Sequence, residues 1–156
     1  MRALLQRVSR AEVRIDGEVV GRIGPGLCIL LGVGQDDDES VGAALAAKVV
    51  ALRIFADDQG LTNLSIADIG GSTLVVSQFT LYADTRKGRR PSFIRAGAPE
   101  LGERLYERFC EQLAALGVPV ERGRFGADMD VELVNEGPFT VWLDSDELGL
   151  PGKSAR

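Results

Sequence analysis

The sequence predicts an α/β protein built on one mixed β-sheet, with two helices packed mostly on one side. Two patterns carry that prediction. About seven short apolar or alternating segments, the signature of strands, cluster toward the two ends of the chain, as in a mixed sheet and unlike a regular strand–helix alternation. Two longer stretches repeat their apolar residues at the helical period. The 156 residues, 45% hydrophobic and 26% charged, suffice for a sizeable core without staples. Neither repeats nor a linker divide them. Residues 1–148 are therefore read as one domain, and residues 149–156, small and polar, as a flexible tail.

The first strands announce themselves through a turn. Val13-Arg14-Ile15 and Glu18-Val19-Val20 alternate around Asp16-Gly17, the strongest short-range hairpin signal. Residues 21–26 are glycine-rich, but their order differs from a dinucleotide-binding loop and no helix follows, so they read as a turn. Residues 27–33 are apolar almost throughout, as in a strand covered on both faces. Asp36-Asp37-Asp38-Glu39-Ser40 then opens the first helix, since carboxylates favour the positive end of its dipole. Val41, Leu45, Val49 and Leu52 form its buried stripe. The same acidic run has the residue types of a metal site; a solvated helix start is the reading taken.

Arg53-Ile54-Phe55-Ala56 is a further strand, ended by Asp57-Asp58-Gln59-Gly60. Leu74-Val75-Val76 is a core strand running directly into Ser77-Gln78-Phe79-Thr80-Leu81. A polar, basic loop leads to Pro99, which suits the first turn of a helix. Leu101, Leu105, Phe109, Leu113 and Leu116 form that helix's stripe, and Gly117 closes it with Pro119 beyond. Residues 120–125, 130–134 and 139–143 are read as the last three strands.

Composition narrows the chemistry. A net charge of −5 argues against coating nucleic acid through bulk electrostatics. One local exception is Arg86-Lys87-Gly88-Arg89-Arg90, which packs four of 18 cationic residues into five positions. It reads either as a phosphate site or as a solvated turn. The absence of histidine excludes Ser-His-Asp and Cys-His machinery and any His-ligated zinc. Cys28 and Cys110 lack CxxC spacing and read as buried thiols of a reducing cytosol. No apolar run approaches the roughly 18–20 residues that span a bilayer, and Met1-Arg2-Ala3-Leu4-Leu5-Gln6-Arg7 is charged too soon for a signal peptide. The expected location is cytoplasmic.

Two segments carry the remaining signal. Ser77-Gln78-Phe79-Thr80 sets two hydroxyls and an amide beside an aromatic wall where a buried strand surfaces. Such groups orient water and donate to a developing oxyanion, yet they cannot deprotonate an unactivated nucleophile; equally, a strand end satisfies its own backbone this way. Phe79, Phe125 and Met129 read either as pocket lining or as core. Asp128-x-Asp130 is half of a carboxylate metal site without partner spacing, so no metal and no cofactor is read. Finally, Gly137-Pro138 falls between two apolar strands, where proline removes a ladder donor and glycine adds backbone freedom. An ordinary turn and a backbone presented to a ligand both fit.

Taken together, five segments resemble the D-aminoacyl-tRNA deacylase family from about Met1 to Ser145. They are Met1-Arg2-Ala3 with Gln6-Arg7-Val8-Ser9, residues 77–84, residues 87–93, Phe125-Gly126-Ala127-Asp128-Met129 and Asn135-Glu136-Gly137-Pro138-Phe139-Thr140. The resemblance implies a layered mixed sheet with a barrel-like core. It implies hydrolysis of the ester joining a D-amino acid or glycine to the 3′-terminal adenosine of tRNA, in a homodimer whose sites lie at the subunit interface. Thr80, Ser77 and Gln78 would be the catalytic residues, with Phe79, Leu81 and Met129 lining the substrate site. Gly137 and Pro138 would form a cis dipeptide that enters the partner's pocket and excludes L side chains, braced by Arg7. Arg86, Lys87, Gly88 and Arg89 would meet the tRNA end. Phe139 and Glu136 depart from the valine and aspartate commoner in the family. The competing readings are a non-catalytic module that binds the tRNA end, and a serine hydrolase with Ser77 as nucleophile.

Overall fold

The computed structural model describes residues 1–151. Its spine is the long strand β1 (Arg2–Ile15). The hairpin at Asp16-Gly17 forms as expected: both residues take positive φ, 50° and 81°, the mirror-image turn geometry that matches strand twist. β2 (Glu18–Ile23) and β3 (Gly26–Gly32) follow. They lie end to end along β1, β2 against its residues 11–15 and β3 against residues 2–8. The expected turn over residues 21–26 is thus shorter, because β1 continues as a template as far as Ile23, and the chain breaks only around Gly24-Pro25.

α1 (Glu39–Ala51) is capped by Asp38, whose carboxylate accepts from the Ser40 and Val41 amides at 2.9 and 3.1 Å. Asp37 corrects the picture of a wholly solvated acidic start. It is buried, and its carboxylate accepts from the Met1 ammonium at 2.5 Å and from the Gly34 amide at 2.6 Å. β4 (Phe55–Ala56) is only half the expected strand. Asp57 folds the chain back at once, accepting from the Gln59 and Leu61 amides, and β5 (Thr62–Leu64) pairs antiparallel with β4.

β6 (Ser72–Ser77) runs parallel to β3, and β7 (Val120–Arg122) parallel to β6. α2 (Pro99–Ala115) connects these last two. Leu105, Phe109 and Leu113 are fully buried, but Leu116 caps the helix and is 46% exposed. β8 (Asp130–Asp144) replaces the two final strands of the sequence reading with one, antiparallel to β1 along that strand's free edge. Residues 123–125, expected to extend β7, are not strand: Gly123 still donates to the Val75 carbonyl at 3.1 Å, and the chain then leaves the sheet.

The sheet is mixed and curls toward a barrel, as β2 packs across β6 and β7. A Cβ at Gly21 would stand 2.8 Å from the Arg122 carbonyl oxygen, so glycine permits that approach. The curl separates two cores. Leu5, Ile29, Leu31 and Val75 pack with Leu45 and Val49 of α1 and Leu105 and Phe109 of α2. Val8, Val13, Ile23, Cys28, Leu74 and Val76 fill the opposite, inner face. Both helices therefore lie on one side of the sheet. No helix among the described residues is long and apolar enough to cross a membrane. Gly149 and Leu150 still bond back to the Asp146 and Ser145 carbonyls; residues 152–156 of the expected tail lie outside the described residues.

Candidate active site

An open groove enclosing about 870 Å³ lies where β6 ends and the chain leaves β7. This is the usual place for ligands in a parallel sheet, beyond the carboxyl ends of its strands, and the volume suits a small-molecule group. Ser77, Gln78 and Phe79 form one wall; Phe125, Gly126, Ala127, Asp128 and Met129 form another. Thus Phe79, Phe125 and Met129 are pocket residues. Phe93, which the sequence reading quoted but gave no role, meets Phe79 edge to face at 5.1 Å and lines the same groove. Phe79 is 55% exposed, a large apolar ring held open to solvent. Met129 is held in place by its sulfur, which accepts from the Arg124 amide at 3.3 Å.

The strand expected to continue through Leu81 stops at Ser77. Gln78 donates its amide to Leu31 of β3 at 2.7 Å, and its carbonyl then accepts from Leu81, starting a 3₁₀ turn over Phe79–Tyr82. Space for this comes from β3. A Cβ at Gly32 would lie 3.1 Å from the Gln78 carbonyl oxygen and 3.2 Å from Leu81 Cβ, so the turn rests directly on the backbone of that glycine. Within it, Gln78 Nε2 donates to Thr80 Oγ1, which leaves the threonine hydroxyl proton free to donate elsewhere. Thr80 and Leu81 sit on the turn itself, outside the lining of the groove.

The basic loop is closed at its base by reciprocal backbone bonds between Asp84 and Ser92, at 2.8 and 2.9 Å. Arg86 folds back onto Asp84 through a forked pair at 2.8 and 2.6 Å, which holds the carboxyl well below its usual range. Arg86, Lys87, Gly88, Arg89 and Arg90 are all exposed, and Gly88 supplies the positive φ of 71° that the turn needs.

Gly137-Pro138 lies in neither a strand junction nor the groove. Along β8, Thr140 pairs with Gln6 and Asn135 with Val8, so residues 136–139 loop out while the ladder continues on either side. The peptide is cis. Asn135 ties the two feet of the loop, accepting from the Phe139 amide at 2.6 Å and donating to Thr140 Oγ1 at 2.9 Å. Arg7 ties it to the body, donating Nε to the Glu136 carbonyl at 3.0 Å and Nη1 to the Ile54 carbonyl at 2.8 Å. Its guanidinium lies 4.6 Å above the Phe139 ring, a cation–π contact. Gly137 has φ +139°, a conformation that L side chains rarely adopt, and a Cβ there would stand 3.0 Å from the Phe139 backbone nitrogen. Asn135 was legible as part of a motif but not as a clamp; only the register with β1 reveals that role.

No group of three or more His, Cys, Asp or Glu among the described residues is placed to hold a metal. Fold and site together fit a hydrolase: the groove offers the Ser77 hydroxyl, the Gln78 amide and apolar walls, with the exposed Asp128 carboxylate as an ionisable side chain in its lining. The chain belongs to the D-aminoacyl-tRNA deacylase family: residues 4–144 match the family model described as D-Tyr-tRNA(Tyr) deacylase. It is accordingly an ester hydrolase. It is 61% identical over 145 residues to the D-aminoacyl-tRNA deacylase of Paracoccus denitrificans (strain Pd 1222), covering 93% of this chain and 97% of the relative. The D-aminoacyl-tRNA deacylase of Thermomicrobium roseum is 60% identical over 148 residues, covering 95% and 96%. Among solved structures, that of a c-Myc DNA Unwinding Element Binding Protein superposes with a TM-score of 0.88 at 39% identity, covering 92% of this chain and 98% of that one. A probable eukaryotic D-amino acid tRNA deacylase shares the fold, with a TM-score of 0.78 at 22% identity.

Proposed function

We propose that this chain, with residues 1–148 acting as one deacylase unit, hydrolyses the ester between a D-amino acid or glycine and the 3′-terminal adenosine of tRNA, and leaves the L-ester nearly untouched. It would act in the cytoplasm as a chiral proofreader, without cofactor or metal. The observation that carries this reading is the loop at residues 136–139. It is fixed at both feet and braced by Arg7, yet Gly137 and Pro138 are exposed and outside the groove of their own chain. A rigid backbone presented outward in this way is suited to the groove of a second copy, in a homodimer with cross-subunit sites. There its carbonyls would hold the substrate ammonium, and its main chain would leave no room for an L side chain. Such a wall yields only if the whole loop moves, which favours selectivity by exclusion.

The chemistry asks little of the groove. An aminoacyl ester is activated already, so a positioned water and donors to the oxyanion suffice; one such donor contributes roughly 10²–10³-fold. Gln78 and Ser77 in the groove and Thr80 on the adjoining turn would supply them, and the ribose 2′-hydroxyl would take the place of a side-chain base. Phe79, Leu81 and Met129 would hold the acyl adenosine, and Arg86, Lys87, Gly88 and Arg89 the tRNA end. Release of D-tyrosine from D-tyrosyl-tRNA, with L-tyrosyl-tRNA spared, tests the proposal; comparable rates on both esters would refute it. Binding of tRNA without turnover would instead establish a module that only holds the tRNA end. An acyl-enzyme trapped on Ser77 would establish a serine hydrolase.

A further inference from the structure

We infer that Arg2 is a positioning residue for this site, holding the 3₁₀ turn that carries Phe79 and Thr80 in register with β8. The inference rests on the reading of the groove given above. A single turn of four residues has no stability of its own, so its placement must come from outside. Gly32 supplies the floor, the Tyr82 hydroxyl reaches Asp37 Oδ2 at 3.5 Å, and on the β8 side the turn is held by one guanidinium. Arg2 Nη1 donates to the Leu81 carbonyl at 2.9 Å, and Nε donates to Asp144 Oδ2 at 2.8 Å. The same planar group stacks on Tyr82, 4.4 Å from its ring centroid, and faces Trp142 at 5.6 Å. Arg2 and Asp144 are a paired position of the β1–β8 ladder. The turn is thereby fixed to the ribbon that, a few residues on, carries the Gly137-Pro138 loop.

The two side chains are only 17% and 5% exposed, so the link is sheltered from solvent. Lysine could not replace it, since an ammonium lacks the flat fork that serves two acceptors and stacks between rings. Asp144 keeps a second role, as its Oδ1 accepts from the Asp146 amide at 3.0 Å. That makes its amide analogue a mild companion change.

The test compares the parent, Arg2→Lys, Arg2→Met and the double variant Arg2→Met/Asp144→Asn. The double variant removes both buried charges, so a purely structural ion pair would be relieved in it. Single-turnover hydrolysis of D-tyrosyl-tRNA should give a rate constant at least tenfold lower in Arg2→Met and in the double variant, with apparent affinity changed less than twofold. Arg2→Lys should fall between. Amide hydrogen exchange provides a readout independent of activity: Leu81 and Ala83 should lose at least tenfold protection in the double variant while the β3 amides do not. A double variant that cleaves within twofold of the parent, or whose turn amides exchange as slowly, would overturn the inference. If the parent itself spares D-tyrosyl-tRNA, the proposed substrate fails, and the exchange data alone decide whether Arg2 holds the turn.

Discussion

Replacing Arg7 by methionine keeps most of the apolar stem and removes the guanidinium that ties the outward loop to the body. Three contacts disappear: the bonds to the Glu136 and Ile54 carbonyls and the face-on contact with Phe139. Hydrogen bonds from a charged donor reach about 1.5–3 kcal/mol when sheltered, but these are exposed or half-buried, so about 1 kcal/mol each is appropriate. A cation–π contact at an exposed site adds about 0.5–1 kcal/mol. The loop thus loses about 2.5–3 kcal/mol of attachment, equivalent to a factor of roughly 60–140 in the population of displaced loops at about 1.4 kcal/mol per tenfold. Asn135 still ties its feet, so the loop should swing as a unit and the ladder on either side should survive. The expected result is a fall of at least tenfold in the ratio of D- to L-tyrosyl-tRNA hydrolysis, chiefly by acceleration on the L-ester. The loss of global stability in urea should stay below about 3 kcal/mol, the sum of those contacts. Arg7→Lys, which can bond one carbonyl but not both, should fall between. A folded Arg7→Met protein with unchanged selectivity would refute the argument that this brace positions the loop.

Two further outcomes follow from the packing. The Met1 ammonium is fully buried against Asp37, so Asp37→Ala should cost about 3–5 kcal/mol, the penalty of an uncompensated buried charge; urea unfolding that shows less than about 1 kcal/mol would contradict it. Burial pushes the Cys28 thiol up to about 11 and the Cys110 thiol up to about 12. Because these values lie above the ordinary 9.0, the stability from burying neutral thiols is complete below that pH and is lost as pH rises through about 11. At pH 8 neither should react with iodoacetamide until the chain is unfolded, and alkylation of the folded protein would disprove this.

Much of the fold was legible because its elements follow local rules. The Asp16-Gly17 hairpin, the stripe Leu105, Phe109 and Leu113, and the doubly covered β3 each depend on residues close in sequence. What was not legible depends on a distant partner. Residues 130–134 and 139–143 carry separate strand patterns, and only the uninterrupted length of β1 makes them one strand with a loop between. The 3₁₀ turn after Ser77 is invisible in its own residues, since the space for it is provided by Gly32, some forty-five positions earlier. Likewise, Asp37 looked like one of four equivalent acids until the Met1 ammonium singled it out. For residues 77–79 and Met129, residue type left strand end or core as open as pocket, and the family resemblance is what pointed to the site; Phe93 joins them only because the basic loop folds back at Asp84 and Ser92.

A site that works through backbone and hydroxyl groups shifts the burden from chemistry to placement. Histidine-based sites carry their reactivity in a side chain that can rotate into position, whereas a carbonyl or a main-chain wall stays where the chain is held. In the proposed site both halves are departures from regular structure: a 3₁₀ turn after β6 and a loop thrown out of β8. Each would be loose alone, and each is gripped by an arginine of β1 that donates to a backbone carbonyl, Arg2 to Leu81 and Arg7 to Glu136. Five residues apart on one strand, the two arginines keep their spacing through the ladder with β3, where Arg2 pairs with Gly32 and Arg7 with Leu27. Guanidinium groups suit this task because the fork serves two acceptors at once. A site of the proposed kind, held through backbone carbonyls, has no need of histidine.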